Sequence, residues 1–167
     1  GGRSGRRRAL RWWRGRGAGA AGGGRLVVGG TTDGLGIDRG EPGGRAEAAG
    51  AGVLLVSHMR GHRADMEALT AIADRHGLIV VEDCAHTMGA SWRGRKSGNF
   101  GRVACFSTQT YKHMNSGEGG LLTTDDPDLM ARAIILSGSY MLYERHGAAP
   151  DKHVFDRIRL DTPNTSA

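Results

Sequence analysis

The sequence predicts an α/β fold, a mostly parallel, mixed sheet flanked by helices. Three observations predict it. Short continuous apolar runs recur at Val53–Val56, Leu78–Val81 and Val103–Ser107, the pattern of strands buried on both faces. Between the first two lies Ala64–His76, where Met66, Leu69, Ile72 and Ala73 share one helical stripe. A strand–helix–strand unit of this length implies parallel strands joined by a right-handed crossover.

The remaining elements follow in chain order. Gly77 stands where a helix C-cap glycine belongs. Residues 90–102 predict a hairpin, with Ala90–Arg93 and Lys96–Phe100 joined around Gly94. Gly119–Thr124 predicts a further strand. Asp125–Pro127 then caps a helix from about Asp128 to Ser137, with Leu129, Ala133, Ile134 and Leu136 as its apolar contacts. Residues 147–167 are weakly patterned, and no internal repeat is present.

The N-terminal segment has a different texture. The chain has 167 residues and a formal net charge of +6. Eight arginines and no acid fall within residues 1–25, and the rest of the chain is slightly acidic, at net −2. Of the 29 glycines, 17 lie in residues 1–50. Residues 1–24 are therefore expected to form a disordered Gly/Arg-rich tail, since they cannot bury enough apolar surface to offset the entropy of ordering. Arg/Gly tracts with aromatics such as Trp12 and Trp13 can also bind single strands, but charge runs are more often simply solvated. Residues 25–50 read as loop after the short run Leu26–Val28.

Composition narrows the function classes. Two cysteines, Cys84 and Cys105, exclude a disulfide-rich scaffold and suit a reducing compartment, so a cytoplasmic location is expected. No run approaches the length of a membrane-spanning helix. The cysteines lack zinc-site spacing, and the histidines form no HExxH pattern. A GxSxG elbow and a Walker loop are both missing. No metal is expected.

In open α/β sheets ligands bind at the carboxyl ends of the strands. Asp83 follows the run Leu78–Val81 and suits either a cationic ligand group or a loop cap. His86, three residues on, suits the same ligand or a structural hydrogen bond. Ser107 ends the third run, and Lys112 follows within Ser107–Gly120 (STQTYKHMNSGEGG). Lys112 is the only lysine between Lys96 and Lys152, in a chain with 20 arginines and 3 lysines. Arginine cannot replace a lysine that must act as a nucleophile, because its guanidinium stays protonated. Gly117, Gly119 and Gly120 give either a flexible backbone beside that lysine or a turn into the next strand.

At Glu82–Ala90 (EDCAHTMGA) and Cys105–Gly120 (CFSTQTYKHMNSGEGG) the chain resembles the DegT/StrS-type aminotransferases. Further matching stretches are Ser57–Asp65, Gly94–Gly101 and Gly119–Asp126. The resemblance is well matched over residues 51–147, loose over 25–50, and resumes at Thr162–Ser166. It implies pyridoxal 5'-phosphate as cofactor and the large domain of the type I, aspartate-aminotransferase fold, with residues 25–167 as a partial such domain.

By this resemblance Lys112 is the lysine that joins the cofactor covalently and later moves the proton. Asp83 pairs with the pyridine nitrogen, and Ser107 binds the cofactor phosphate. His86 stands where the family usually has glutamine near the cofactor ring. Asn164 matches the asparagine that reaches the phosphate of the neighbouring subunit, which implies a homodimer. The implied reaction is transamination of a keto sugar, often nucleotide-linked, with glutamate as donor. Relatives with histidine in place of the lysine are sugar dehydratases, so Lys112 favours transamination. The family's N-terminal glycine-threonine phosphate loop and its smaller C-terminal domain are not recognisable here. The chain is accordingly expected to be a fragment, with an inert fragment bearing a nucleic-acid-binding tail as the alternative.

Overall fold

The computed structural model describes residues 50–62, 64–137, 150–156 and 158. The tail at 1–24, the loop at 25–49 and Asn164 lie outside the described residues. The main sheet is built from β1 (Val53–Ser57), β2 (Ile79–Asp83), β5 (Val103–Ser107) and β6 (Gly120–Thr123), in the order β1-β2-β5-β6. β1, β2 and β5 are parallel, and β6 runs antiparallel to β5. This is the mostly parallel, mixed sheet that the apolar runs predict.

Between β1 and β2 the chain forms α1 (Met66–Arg75). Asp65 caps its start, its carboxylate accepting the Ala68 N–H at 3.2 Å. The sequence stripe is the buried one: Met66, Leu69, Ile72 and Ala73 all face the sheet. Met66 and Leu69 are each 1% exposed, a burial worth roughly 1.5–3 kcal/mol per side chain. They pack with Val56, Ala64, Ala73, Leu78 and Val80, and with the partly buried Leu54, Trp92 and Phe100. The helix stops in a Schellman motif. Gly77 adopts φ +62°, Leu78 N–H reaches Ala73 O at 2.8 Å, and Gly77 N–H reaches Asp74 O at 3.3 Å.

The strands are not buried on both faces, contrary to the sequence expectation. Val53, Leu55 and Ile79 are 56%, 49% and 40% exposed, while Val56 and Val80 between them are buried. The physical reason is layer count. α1 covers one face of the sheet, packing on Val56 and Val80, while Val53, Leu55 and Ile79 on the other face stay open.

The hairpin is shorter than predicted, with β3 (Ser91–Trp92) pairing β4 (Arg95–Lys96). Its two turn residues both have positive φ, Arg93 at 47° and Gly94 at 82°, as a type I′ turn requires. Pairing stops early because the N–H groups of Gly98, Phe100 and Gly101 turn away to the Glu82 carboxylate.

The helix after β6 is α2 (Pro127–Ser137), which packs on the short α3 (His153–Asp156). Its buried face is Ala131 and Ile135, against Val154, Ile158 and Phe155. The sequence reading placed its contacts at Leu129, Ala133, Ile134 and Leu136, and Leu136 is 56% exposed. Seven of the eight residues Leu129–Leu136 are strongly apolar or alanine, on all sides of the helix, so periodicity alone does not single out a face.

Candidate active site

Strand alternation sorts the chemistry between the two faces of the sheet. In register across it run the pairs Ser57↔Asp83, Asp83↔Cys105, Cys105↔Leu122 and Ser107↔Gly120. Ser57, Asp83 and Ser107 are the last residues of β1, β2 and β5. All three therefore lie at the carboxyl edge, on the face that α1 leaves uncovered.

The Asp83 carboxylate is held at both oxygens. The Ser57 hydroxyl donates to Oδ2 at 2.8 Å, and the Ala85 N–H donates to Oδ1 at 3.1 Å. Its backbone carbonyl also accepts the His58 N–H at 3.1 Å. His86 comes to the same edge, where its Nδ1 accepts the Arg60 N–H at 3.0 Å. A neutral His86 then carries its proton on Nε2. Arg60 sits in the left-handed region, at φ 54° and ψ 28°, a conformation that costs a non-glycine residue about 1 kcal/mol.

Lys112 lies in the loop between β5 and β6. That loop is closed at its base by Thr108 N–H to Gly119 O at 3.0 Å and Ser116 N–H to Thr108 O at 2.8 Å. The Thr110 hydroxyl donates to Gly117 O at 2.7 Å. Lys112 is tied by its backbone N–H to Gln109 O at 2.9 Å. Its half-buried side chain has no ion-pair or hydrogen-bond partner among the described residues. The Ser107 hydroxyl accepts the Gln109 N–H at 3.3 Å and retains its own proton for a ligand. The loop backbone is tight at Gly120, where a Cβ would lie 2.6 Å from Phe106 O.

The structure thus brings Asp83, His86, Ser107 and Lys112 to the loops and strand ends of one sheet edge. Asn164 lies outside the described residues. The donor set fits pyridoxal phosphate chemically: an amine without a partner for its aldehyde, a fixed carboxylate for a cationic ring nitrogen, and a hydroxyl for its phosphate.

On the opposite face sits a buried polar network that the sequence reading passed over. Glu82 is 0% and His58 2% exposed. His58 Nε2 lies 3.2 Å from Glu82 Oε2. The other Glu82 partners are the N–H groups of Phe100 and Gly101, both 2.7 Å from Oε1, of Gly98, 3.1 Å from Oε2, and the Cys84 thiol, which donates to Oε2 at 4.0 Å. Beside them Cys84 Sγ lies 3.3 Å from Ser97 Oγ, which is 2.7 Å from Thr87 Oγ1. Burial opposes charge on His58, but its interactions with neighbouring Cys84 and Glu82 outweigh it and raise the pKa from 6.5 to about 9. Burial likewise opposes ionisation of Glu82, yet His58 and the three N–H donors hold its pKa below 4.5. The signal was present in the sequence. Glu82 alternates with Val80 and Cys84, and His58 with Val56, so strand parity puts both on the core face.

The residues 47–157 match the family model described as the DegT/DnrJ/EryC1/StrS aminotransferase family. The chain is 44% identical over 88 residues to GDP-perosamine synthase of Caulobacter vibrioides, covering 53% of this chain and 24% of that protein. It is 42% identical over 99 residues to L-glutamine:2-deoxy-scyllo-inosose aminotransferase of Streptoalloteichus tenebrarius, covering 59% of this chain and 23% of that protein. Among solved structures, S. venezuelae DesV in complex with a ketimine intermediate superposes with a TM-score of 0.56 at 37% identity, over 69% of this chain and 30% of that one. The chain thus spans about a quarter of the length of the curated relatives it matches.

Proposed function

We propose that this chain, which belongs to the DegT/DnrJ/EryC1/StrS aminotransferase family, carries cofactor-binding residues of a pyridoxal-phosphate-dependent sugar aminotransferase. When bound, pyridoxal phosphate supplies an electron sink for the α-carbon of an amino donor. Lys112 would hold the cofactor and move the proton at its Nζ. Asp83 would present its carboxylate to the ring nitrogen and keep the proton there. Ser107 would donate its hydroxyl to the phosphate. His86 would offer Nε2 beside the ring, since Nδ1 is taken by Arg60. Asn164 would reach the phosphate of a neighbouring subunit, which makes the working enzyme a homodimer. On this reading residues 25–167 are part of the cofactor domain, and the reaction belongs to cytoplasmic sugar biosynthesis.

The observation that carries the reading is the shared edge. The Asp83 carboxylate from one stretch of sequence, and the Ser107 hydroxyl with the loop lysine five residues on from another, come to one end of one sheet. The acceptor substrate is a keto sugar or a related cyclic ketone. That choice is supported by the sugar nucleotide that names one relative, a GDP-perosamine synthase, and the inosose that names the other. The donor is glutamate or its amide, and L-glutamine is the donor named for one relative. The test is transfer of the amino group from labelled glutamate or glutamine to a keto sugar, followed by mass spectrometry. Transfer that needs Lys112 supports the reading. Sugar deoxygenation without amino transfer would replace it with dehydration.

A further inference from the structure

We infer that Ser57 is a positioning residue that sets the plane of the Asp83 carboxylate for a flat cationic ring. The inference rests on the reading of Asp83 given above. Ser57 and Asp83 are register partners, each the last residue of its strand, on the uncovered face. The carboxyl group of an aspartate turns readily about its last bond, because that torsion has no sharp staggered wells. One anchor comes from Asp83's own turn, the Ala85 N–H on Oδ1 at 3.1 Å. By itself this anchor leaves the carboxyl plane free to swing about Oδ1. The second anchor comes from another strand, the Ser57 hydroxyl on Oδ2 at 2.8 Å. Two donors on two oxygens fix the plane.

The plane matters because a donor N–H approaches a carboxylate oxygen best close to that plane. A planar ring whose N–H must meet Asp83 is therefore sensitive to how the carboxyl group is turned. Ser57 is exposed and contributes no buried apolar surface. A merely structural role would leave little for it to do.

The test titrates pyridoxal phosphate into the full chain and into Ser57→Ala, Ser57→Thr and Asp83→Ala, reading the visible absorbance of bound cofactor across pH. Ser57→Ala should bind about tenfold more weakly, from loss of one hydrogen bond to a charged group. The pH midpoint of its bound-cofactor band should move, and its thermal midpoint should stay put. Ser57→Thr, which keeps the hydroxyl, should restore affinity and midpoint. If Ser57→Ala keeps parental affinity and pH profile while Asp83→Ala loses them, the inference fails and the reading of Asp83 stands. Failure of Ser57→Thr to restore either property also overturns it. If the parent chain takes up no cofactor, or Asp83→Ala behaves as the parent, the reading of Asp83 falls and the inference with it.

Discussion

His58 and Glu82 form a buried charge pair beneath the candidate edge, with Nε2 and Oε2 3.2 Å apart and both side chains shielded from water. Glu82 and Asp83 are consecutive residues of β2 that point to opposite faces, one into the core and one into the site. The pair therefore anchors the strand end that delivers Asp83. Glu82 also fixes the loop 98–101 through three backbone N–H donors. Removing one member of such a pair strands the other charge in the core, which typically costs about 3–5 kcal/mol. Denaturant unfolding of His58→Ala and Glu82→Ala should show losses of that order. A loss below about 1 kcal/mol in both would mean that the network is hydrated and contributes little.

Stability should depend on pH in a defined window. The His58 pKa is raised from 6.5 to about 9 on folding, so its contribution is complete below pH 6.5 and fades as pH rises through 9. The Glu82 pKa is lowered from 4.5, so its contribution is complete above pH 4.5 and fades as pH falls through the lowered value. Thermal midpoints measured from pH 3 to 10 should form a plateau near pH 4.5–6.5 and decline on the alkaline side. The alkaline decline should shrink in His58→Leu. An equal decline in that variant would assign it to other groups.

Gly101 lies against the carbonyl of Val80, and a Cβ there would come within 2.7 Å of that oxygen. The same residue donates its N–H to Glu82. Gly101→Ala should therefore push the loop off the carboxylate and destabilise by roughly 1–3 kcal/mol. Calorimetry would check this, and an unchanged midpoint would show that the loop yields freely.

Asp126 caps α2, its Oδ1 accepting the N–H of Asp128 at 3.0 Å and of Leu129 at 3.1 Å, while Arg102 pairs with Oδ2. Asp126→Ala should cost about 1 kcal/mol. Asp126→Asn should recover most of that loss, because the cap matters more than the exposed ion pair. Amide exchange should quicken in α2 and stay unchanged in β1 and β2. Uniform quickening would contradict a local cap.

The strands, α1 and its terminating Gly77 were legible because each rests on local signals: an apolar run, a stripe of helical period, and a glycine where φ must be positive. The buried face of α2 was not, since apolar residues surround that helix and its partner α3 is remote in sequence. The uncovered face of the sheet was equally hidden, because a run such as Val53–Val56 reads the same whether one face or two are covered. At the candidate site, Asp83 and Ser107 stood out by position at strand ends and Lys112 by residue type. The anchors did not. Ser57 meets Asp83 across 26 positions of sequence, and His58 meets Glu82 across 24. Pairings that distant depend on strand register, which no local pattern in the chain specifies.

The most direct test of the account is the site at which pyridoxal phosphate becomes fixed to the protein. Borohydride reduction of the cofactor-loaded protein, followed by peptide mass spectrometry, should place the cofactor on Lys112. Lys112→Ala and Lys112→Arg should both abolish the label, since arginine keeps its charge and its donors but cannot act as the nucleophile. Label retained in either variant, or found instead on Lys96 or Lys152, would contradict the assignment of Lys112.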